Sequence, residues 1–370
     1  MINLVVAVDN GGSELRVRST SGFELNEESE FVSIRESDFR VKDVEDTMML
    51  CNITKAPKAE YLGIIANCGA GRQYTASTLG FNSQAPKTES VNYYRQFIYG
   101  LAKAAYEAKS KGTGVHLGYN SDVDVQFTVV TCIPVKEHVG KNDCVTRVKA
   151  NLAGTYEAEF LLLDEPRKVT FSVSPQRVGV VPEGAVAVSK IGNELEPDDF
   201  TLVVDMGDVT VDISLFKGKK LYSDKVESSS AAGSTLLALV RSALVDEGYY
   251  LNDAQAKRAL STEYVMDGAE KVDVSGILSE VRKDYVRNFL KEDIIRTLNI
   301  NNVKAKQIKN FVPLGAGMNN SEREGSIVKE IVNSCGLEKA IVYILAEDLR
   351  YVNVESTLTF AEALDKLVCR

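Results

Sequence analysis

The sequence predicts a two-domain α/β protein with a duplicated architecture. The chain has 370 residues, which is too long for one small core and suits two domains of ordinary size. Two strand–turn–strand segments, residues 4–18 and 202–216, resemble each other and lie about half the chain apart. Strand and helix patterns alternate between and after them. The repeat is too short to establish duplication without the other two observations.

The composition excludes several classes of protein. With 44% hydrophobic and 26% charged residues, the chain has the composition of an ordinary soluble globular protein. Its formal net charge of -9 argues against a general nucleic-acid-binding surface but leaves room for a local basic patch. No apolar run reaches the roughly 20 residues that span a bilayer. Residues 1–8 lack a basic leader and predict a buried strand instead of a signal peptide.

The cysteines and histidines indicate the redox state of the protein's compartment and which metal or catalytic sites the chain can form. The six cysteines are scattered, and none forms a C-x-x-C pair. The two histidines, His116 and His138, are too few for a zinc site or a histidine-based triad. We therefore expect reduced thiols and a cytoplasmic protein with no membrane partner.

Hydrophobic periodicity predicts the remaining elements in order. Between the two repeated segments it predicts strands at 61–67, 125–133, 156–163 and 168–173, helices at 92–111 and 142–152, and a strand, a Pro-Glu turn and a helix over 176–190. After the second segment it predicts helices at 235–247, 253–260, 275–298, 322–335 and 357–368, and strands at 309–314 and 341–344.

The first repeated segment carries a turn suited to phosphate binding. Asp9-Asn10-Gly11-Gly12-Ser13 follows an apolar run, and a tight glycine turn exposes backbone N–H groups that can hold a phosphate. A carboxylate at Asp9 suits such a site if a hydrated Mg²⁺ lies between the two anions. Arg16 would neutralise a phosphate oxygen from the second strand. The alternative is an ordinary hairpin with an aspartate-capped turn.

The second repeated segment is suited to phosphate binding for the same reasons. It reads Asp205-Met206-Gly207-Asp208-Val209-Thr210. Asp205 would face Asp9 across one Mg²⁺ if the two hairpins came from facing domains. Gly207 allows close approach of the backbone, and Thr210 offers a hydroxyl to a phosphate. Either hairpin alone is weak evidence, whereas the pair at this separation is stronger.

Three further segments complete the candidate site. Gly315-Ala316-Gly317 follows an apolar strand and suits close packing of a purine and ribose, although a bend before a helix is the alternative. Gly233-Ser234 opens a helix, either as a simple cap or as a cover over a nucleotide. Glu183 follows Pro182 between a strand and a helix. Its carboxylate would orient a water towards a γ-phosphate, or would only stabilise the first helical turn.

These segments, in this order, resemble the actin, heat-shock chaperone and sugar kinase superfamily. The matching segments are a first phosphate loop at 9–16, a connection at 178–188, a second phosphate loop at 205–212, a second connection at 228–236 and an adenosine loop at 313–318. Within the superfamily the chain most resembles the ParM-type bacterial actins that segregate plasmids. The reasons are its length, the TCIPV stretch at 131–135 and the VPE stretch at 181–183.

The resemblance implies a two-domain actin-like fold, of the duplicated ribonuclease H-like kind, with a nucleotide cleft between the domains. Domain I would comprise residues 1–190, with the C-terminal helix at about 345–370 packing back on it. Domain II would comprise residues 191–344. ATP or GTP with Mg²⁺ would be the cofactors.

The resemblance also implies roles for the site residues. Asp9 and Asp205 would hold Mg²⁺ through water molecules, Asp205 would share the catalytic role with Glu183, and Glu183 would position the attacking water. The nucleotide would be bound by Asp9, Asn10, Gly11, Gly12, Ser13, Arg16, Gly207, Asp208, Val209, Thr210, Gly233, Ser234, Gly315, Ala316 and Gly317. The implied function is slow nucleotide hydrolysis coupled to polymerisation. The partners would be further copies of the chain and a DNA-bound adaptor protein at the filament end, without direct nucleic-acid binding.

The alternative function is a small-molecule, sugar-type kinase of the same superfamily. Such an enzyme needs an aspartate in the cleft that deprotonates an acceptor hydroxyl. Asp122 and Asp124 are the available residues, but the sequence shows no clear acceptor loop around them. A chaperone would need a substrate-binding domain, for which no residues are left over.

Overall fold

The computed structural model describes most of the chain and leaves out several short segments. The described residues are 1–11, 14–28, 31–34, 50–67, 77–78, 86–110, 124–140, 143–161, 167–222, 226–319, 323 and 325–369. By their internal contacts they form two units. Unit 1 comprises Met1–Ile133, Gly140–Pro182 and Asn353–Arg370, and unit 2 comprises Pro134–Val139 and Glu183–Val352. The predicted domain limits stay a prediction.

The strands and helices are numbered in chain order. The strands are β1 Ile2–Asn10, β2 Glu14–Ser19, β3 Glu24–Glu28, β4 Phe31–Ile34, β5 Leu50–Lys55, β6 Gly63–Asn67, β7 Ser77–Thr78, β8 Val125–Ile133, β9 Gly154–Leu161, β10 Arg167–Pro182, β11 Phe200–Met206, β12 Val211–Lys217, β13 Lys220–Leu221, β14 Glu227–Ser229, β15 Tyr264–Asp267, β16 Glu270–Asp273, β17 Ile308–Leu314 and β18 Ile341–Val342. The helices are α1 Val91–Ser110, α2 Val135–Val139, α3 Cys144–Leu152, α4 Ala185–Lys190, α5 Gly233–Asp246, α6 Asp253–Thr262, α7 Ser275–Tyr285, α8 Lys291–Ile300, α9 Ile327–Cys335 and α10 Val352–Val368.

Unit 1 is built on one mixed sheet. Its described strands follow the order β3-β2-β1-β8-β10-β9-β5-β6-β4-β7. The central strands β1 and β8 are buried along most of their length, as expected for strands covered on both faces. Helix α1 buries most of its length, including Tyr93 and Phe97. The core therefore lies where α1 packs on the sheet.

Helix α10 is held on unit 1 by a buried polar group of the sheet. The Asp365 carboxylate accepts a hydrogen bond from the Thr128 hydroxyl at 2.6 Å and from Arg177 at 3.2 Å. Gly179 leaves room for the neighbouring strand and for the helix, since a Cβ there would lie 2.7 Å from a methyl group of Val130 and 3.3 Å from one of Leu364. The chain terminus thus returns to the strands that precede Glu183.

Unit 2 contains a second mixed sheet in the order β13-β12-β11-β17-β18, with β14 paired to β12. Helices α5 to α9 pack around its core, and β15 and β16 form a separate hairpin. Two of these helices show strong start signals. Asn252 and Gln255 form a capping box at α6, and the Ser326 hydroxyl accepts from the Lys329 N–H at α9. A π turn, Val286–Leu290, joins α7 to α8.

The two sheets share one five-strand pattern. In unit 1 it runs β3-β2-β1-β8-β10, and in unit 2 it runs β13-β12-β11-β17-β18. In both, the first three strands are joined by antiparallel pairings and the last three by parallel pairings. The predicted two-domain, duplicated α/β fold class is therefore confirmed at the level of topology.

Most predicted elements are present, and several boundaries were wrong. Strand β8 has the predicted limits. Strand β6 begins two residues later than predicted, because Ala59–Tyr61 forms a 3-10 turn. The two strands predicted at 168–173 and from 176 onwards are one long strand, β10, with a register shift between Val173 and Val178. Helix α10 begins five residues before its predicted start. No helix among the described residues has the length and apolar character that crossing a membrane requires.

Candidate functional site

The first predicted loop leaves the carboxyl end of β1 and enters β2. Asp9 faces Arg16 across the hairpin. The Gly11 N–H donates to the Glu14 carbonyl at 2.9 Å and closes the turn. Strand β8 runs parallel to β1, with Thr131 opposite Val8, so both strands end on the same side. Carboxyl ends of parallel strands are where open α/β sheets bind ligands.

The Asp9 carboxylate is buried and already has partners. One of its oxygens accepts from Arg16 at 3.0 Å, and the other lies 3.5 Å from the Cys132 thiol. Arg16 also pairs with the carboxylate of Glu14. Burial lowers the pKa of the Arg16 guanidinium, but the charges of Asp9 and Glu14 outweigh it and leave that pKa above its usual value. Arg16 therefore stays charged and neutralises these carboxylates, whereas the sequence pattern indicated a phosphate as its partner.

Two residues for which the sequence held no signal, Tyr93 and Lys87, contact Asn10. Its amide nitrogen donates to the Tyr93 carbonyl at 2.9 Å. Its amide oxygen is buried and, within the described residues, has no hydrogen-bond partner. The Tyr93 hydroxyl lies 3.3 Å from that of Thr131, and burial raises the pKa of Tyr93 well above its usual value. The Lys87 ammonium donates to the Asn10 carbonyl at 3.4 Å, which brings a cation to the loop.

The second predicted loop has the same geometry in unit 2. Asp205 faces Asp212 across the hairpin of β11 and β12. The Gly207 N–H donates to the Thr210 carbonyl at 3.0 Å, as Gly11 does in the first loop. A Cβ on either glycine would lie 3.3 Å from the carbonyl oxygen that closes its turn. The two loops are thus equivalent in register, hydrogen bonding and the position of the aspartate.

The turn of the second loop carries three successive backbone donors. Within the part of the chain that the structure describes, the N–H groups of Asp208, Val209 and Thr210 make no hydrogen bond with the protein. All three residues are half-buried. Successive unpaired N–H groups in a turn form a concave site of positive potential, which suits an anion.

Helix α5 begins against the second loop. The N–H groups of Gly233 and Ser234 donate to the carbonyls of Gly207 and Asp208, both at 2.9 Å. A Cβ on Gly233 would lie 3.0 Å from the Asp208 carboxylate. The first two N–H groups of α5 are therefore used by the loop itself, so this helix end supports the loop and does not offer these donors to a ligand.

The third predicted loop lies on the second. Gly315 has a φ of 84°, and a Cβ there would lie 2.3 Å from the carbonyl oxygen of Met206. A Cβ on Gly317 would lie 2.3 Å from the Met206 sulfur. Ala316 begins the 3-10 turn Ala316–Met318 that follows. Strand β17 runs parallel to β11, with Leu314 opposite Asp205, so the contact joins two carboxyl strand ends.

The far side of this third loop is fixed by side chains. The Gly315 N–H donates to the Leu349 carbonyl at 3.3 Å. Asn319 donates to the Asp348 carboxylate at 2.9 Å and accepts from the Leu349 N–H at 2.9 Å. Burial raises the pKa of Asp348, but hydrogen bonds from Arg350 and Asn319 outweigh it and hold the pKa below its usual value. Asp348 therefore stays ionised at neutral pH and continues to accept the hydrogen bond from Asn319 that fixes the loop.

Glu183 follows the last residue of β10 and precedes α4. It is 9% exposed. The next residue, Gly184, has a φ of 78°, and a Cβ there would lie 3.0 Å from a methyl group of Val203. A glycine is thus needed at this bend, and it turns the chain into α4 directly after Glu183.

Each unit brings together its own predicted residues. In unit 1 these are Asp9, Asn10, Gly11 and Arg16; in unit 2 they are Asp205, Gly207, Asp208, Val209, Thr210, Gly233, Ser234, Gly315, Ala316 and Gly317. Gly12 and Ser13 lie outside the described residues. The sequence did hold a signal for Asp212, because it stands seven residues after Asp205 as Arg16 stands after Asp9. It held none for Lys87 or Tyr93.

Comparison with known proteins gives a structural match without a sequence match. No family model matches the chain, and no curated protein matches it. The archaeal actin homolog Ta0583 matches with a TM-score of 0.72 at 15% identity over 97% of this chain and 99% of that chain, and it has also been solved in complex with ADP. The actin-like protein Alp7A matches with a TM-score of 0.71 at 17% identity over 99% of this chain and 98% of that chain.

A polymeric relative matches as well. A 15-stranded ParM filament from Clostridium botulinum has a TM-score of 0.62 at 14% identity, over 98% of this chain and 100% of that chain. Identities this low show a similarity of fold only, but each match covers nearly the full length of this chain and of the matched chain. Together with the two sheets of identical strand order, they confirm the resemblance drawn from the sequence at the level of the fold. The chain has the actin-like fold.

Proposed function

We propose that this chain is a nucleotide-dependent, filament-forming actin-like ATPase of the cytoplasm that drives plasmid DNA segregation by polymerising. The observation that carries the proposal is the pair of equivalent loops, one in each unit. Each loop has a buried aspartate at the end of its first strand and a glycine that closes its turn. A buried carboxylate beside a glycine turn suits a hydrated Mg²⁺ and a phosphate.

The donors and surfaces of unit 2 fit a nucleotide. The backbone N–H groups of Asp208, Val209 and Thr210 suit phosphate oxygens. Gly315 and Gly317 let the third loop pack directly on Met206, since any side chain there would run into that residue. A backbone loop packed beside a turn with free N–H donors can hold the purine nucleoside of a nucleotide whose phosphates lie on that turn. Adenine and guanine both fit this description, and an assay with each nucleotide distinguishes them.

The donor set also fits Mg²⁺ held through water. Mg²⁺ prefers oxygen ligands and keeps several of its waters. Asp9 and Asp205 are buried carboxylates at strand ends, 5% and 8% exposed. Asp9 already accepts a hydrogen bond from Arg16, which favours contact through a water over direct ligation. When bound, the metal would neutralise charge on the β- and γ-phosphates.

Glu183 is the proposed residue for positioning the attacking water, with Asp205 supporting the metal. A carboxylate at the bend before α4 can accept a proton from water or orient it. The Gly184 bend sets the direction of the backbone directly after Glu183. Slow hydrolysis suffices, because the reaction acts as a timer for the polymer and does not supply a metabolite.

Polymerisation and a DNA-bound adaptor protein are further parts of the proposed function. A head-to-tail interface that does not close produces an open filament of identical copies. Loss of the γ-phosphate would remove contacts between the loops and the nucleotide and so bias the subunit away from its filament shape. A DNA-bound adaptor at the filament end would connect the polymer to its cargo, and the chain's net charge of -9 argues against direct DNA binding.

Nucleotide-dependent assembly is the deciding test. We expect light scattering and sedimentation to rise with ATP or GTP and Mg²⁺, and negative-stain microscopy to show filaments that disassemble as phosphate is released. Omitting Mg²⁺ should abolish the rise. A chain that stays monomeric with both nucleotides, at concentrations well above micromolar, would refute the filament proposal even if it hydrolysed them.

The kinase alternative is disfavoured by the position of its proposed base. Asp124 directly precedes β8, at the amino end of that strand, where Ile2 donates to its carbonyl. The predicted phosphate loop is at the carboxyl end of the neighbouring parallel strand, about 25 Å away by strand length. Asp122 lies outside the described residues. A screen for sugar phosphorylation, run beside the assembly assay, would detect this activity directly.

A further inference from the structure

A cationic groove lies on unit 2, away from the three predicted loops in sequence. It runs between the α7–π turn–α8 segment and helix α9, and its cavity measures about 610 Å³. Ligand sites are typically of this size. The residues that line it are Lys283, Arg287, Lys291, Glu330, Asn333 and Ser334.

Two of the three cations in the groove have no acidic partner among the described residues. Lys283 pairs with Glu280 of its own helix at 3.1 Å. In the part of the chain that the structure covers, neither Arg287 nor Lys291 comes within ion-pair distance of a carboxylate. By contrast, Arg282 and Arg296 on the same helical segment are both paired. Positive charge is thus concentrated here on a chain whose net charge is -9.

The π turn brings the outer two cations to the same side of the helix. In an uninterrupted α-helix, Lys291 would be rotated by about 80° from Lys283, since each residue turns by about 100°. The π turn takes up one extra residue, and the Lys291 N–H donates to the Val286 carbonyl, five residues back. The rotation between the two lysines falls to about 20°. Single π turns of this kind are rare and recur at functional sites.

Across the groove, helix α9 supplies two neutral hydrogen-bond donors and one carboxylate, which would repel an anion. Asn333 offers an amide and Ser334 a hydroxyl, both in the last turn of α9. Glu330 places a carboxylate in the same groove. Together with Glu280, the partner of Lys283, two carboxylates face the three cations, which leaves an excess of one positive charge. A phosphate monoester carries about -1.5 to -2 at pH 7 and has three acceptor oxygens, so it can accept from both unpaired cations and from the neutral donors, whereas a carboxylate has only two acceptor oxygens.

We propose that this groove binds a phosphate dianion, either free or carried by a phosphorylated ligand, at a site separate from the predicted nucleotide loops. Arg287 and Lys291 make the charged contacts, and Ser334 and Asn333 donate to the remaining oxygens. Glu330 places a like charge beside the bound anion and therefore weakens binding. The site does not depend on the proposed ATPase function.

The test is a ³¹P NMR titration of the full chain with O-phosphoserine, repeated with inorganic phosphate, in the presence and absence of saturating ADP. We expect saturable binding that ADP does not displace. The double variant Arg287→Ala/Lys291→Ala should weaken binding at least about tenfold, the equivalent of one lost charge-assisted hydrogen bond. Tighter binding of phosphoserine would indicate a phosphorylated partner, and equal binding would indicate free phosphate; both support the site.

Two further variants separate the groove from general charge effects. Lys306→Ala/Lys309→Ala removes the same charge from exposed positions outside the groove and should leave affinity unchanged. Glu330→Gln should tighten binding several-fold, an effect that misfolding cannot produce. Unchanged affinity in both the Arg287/Lys291 and Glu330 variants, or complete displacement by ADP, would overturn the proposal. Tighter binding of hexaglutamate than of phosphoserine would also overturn it, in favour of an acidic peptide partner.

Discussion

The carbonyl oxygen of Met206 lies 2.3 Å from the position that a Cβ on Gly315 would occupy. Met206 holds the place in the second loop that Asn10 holds in the first, directly after the aspartate of each β-strand. The third loop therefore packs on the backbone of the second, at the carboxyl ends of two neighbouring parallel strands. The absence of a side chain at Gly315 is a condition for that contact.

The first prediction concerns this contact. Gly315→Ala combines a positive φ with an overlap against Met206, so we expect a loss of about 3 kcal/mol or more in the free energy of unfolding. Nucleotide affinity should fall as well, because the loop must move away from Asp205. Chemical denaturation and a fluorescent-nucleotide titration measure the two effects.

Gly248→Ala is the matched control for that variant. Gly248 has a similar φ of 90°, but nothing lies within 4 Å of the position that a Cβ would take there. It should cost only the backbone strain, about 1 kcal/mol, and leave nucleotide affinity intact. Equal losses in the two variants would show that the Met206 contact contributes nothing.

The second prediction concerns the proposed metal residue of unit 2. Asp205→Ala should weaken Mg²⁺-dependent ATP affinity by at least about tenfold, because the carboxylate no longer orders the metal's waters. Asp205→Asn keeps the shape of the buried side chain and should show the same loss, which separates metal binding from packing. Affinity measured without Mg²⁺ should change little. Wild-type affinity in both variants would reject the second loop as a metal site.

The third prediction concerns the proposed water-positioning residue. Glu183→Ala should slow phosphate release by about 10²-fold or more and leave nucleotide affinity nearly unchanged, since a general base contributes to the reaction step only. Filaments of the variant should consequently persist after ATP is added. Single-turnover phosphate release and sedimentation over time measure both effects. Unchanged hydrolysis would remove Glu183 from catalysis.

Local chemistry explains why the sequence was sufficient to predict both loops. An apolar strand, an aspartate and a glycine turn are adjacent in the chain, and period-two alternation sets which residue faces which. The same seven-residue spacing therefore places Arg16 opposite Asp9 and Asp212 opposite Asp205. The fold class followed from the repeat of this local pattern at half the chain length.

Contacts between distant segments explain what the sequence could not predict. The Asn10 amide reaches Tyr93, 83 positions away, and the Gly315 loop packs on Met206, 109 positions away. A single sequence carries local periodicity but does not indicate which remote segment covers a strand end. The hairpin register, which the sequence predicts, places Arg16 opposite Asp9 and so allows the two side chains to pair. The sequence did not decide it, because an arginine beside a phosphate-binding turn can neutralise either a carboxylate or a phosphate.

The last prediction concerns the return of the chain terminus to unit 1. The Asp365 carboxylate accepts from the buried Thr128 hydroxyl and from Arg177. Asp365→Ala leaves both donors without this acceptor, and we expect a loss of about 1–3 kcal/mol in the free energy of unfolding. Glu362→Ala, an exposed change on the same helix, should cost less than about 0.5 kcal/mol. Urea denaturation of both variants measures the difference; equal stabilities would mean that α10 is held by its apolar face alone, through residues such as the fully buried Ala361.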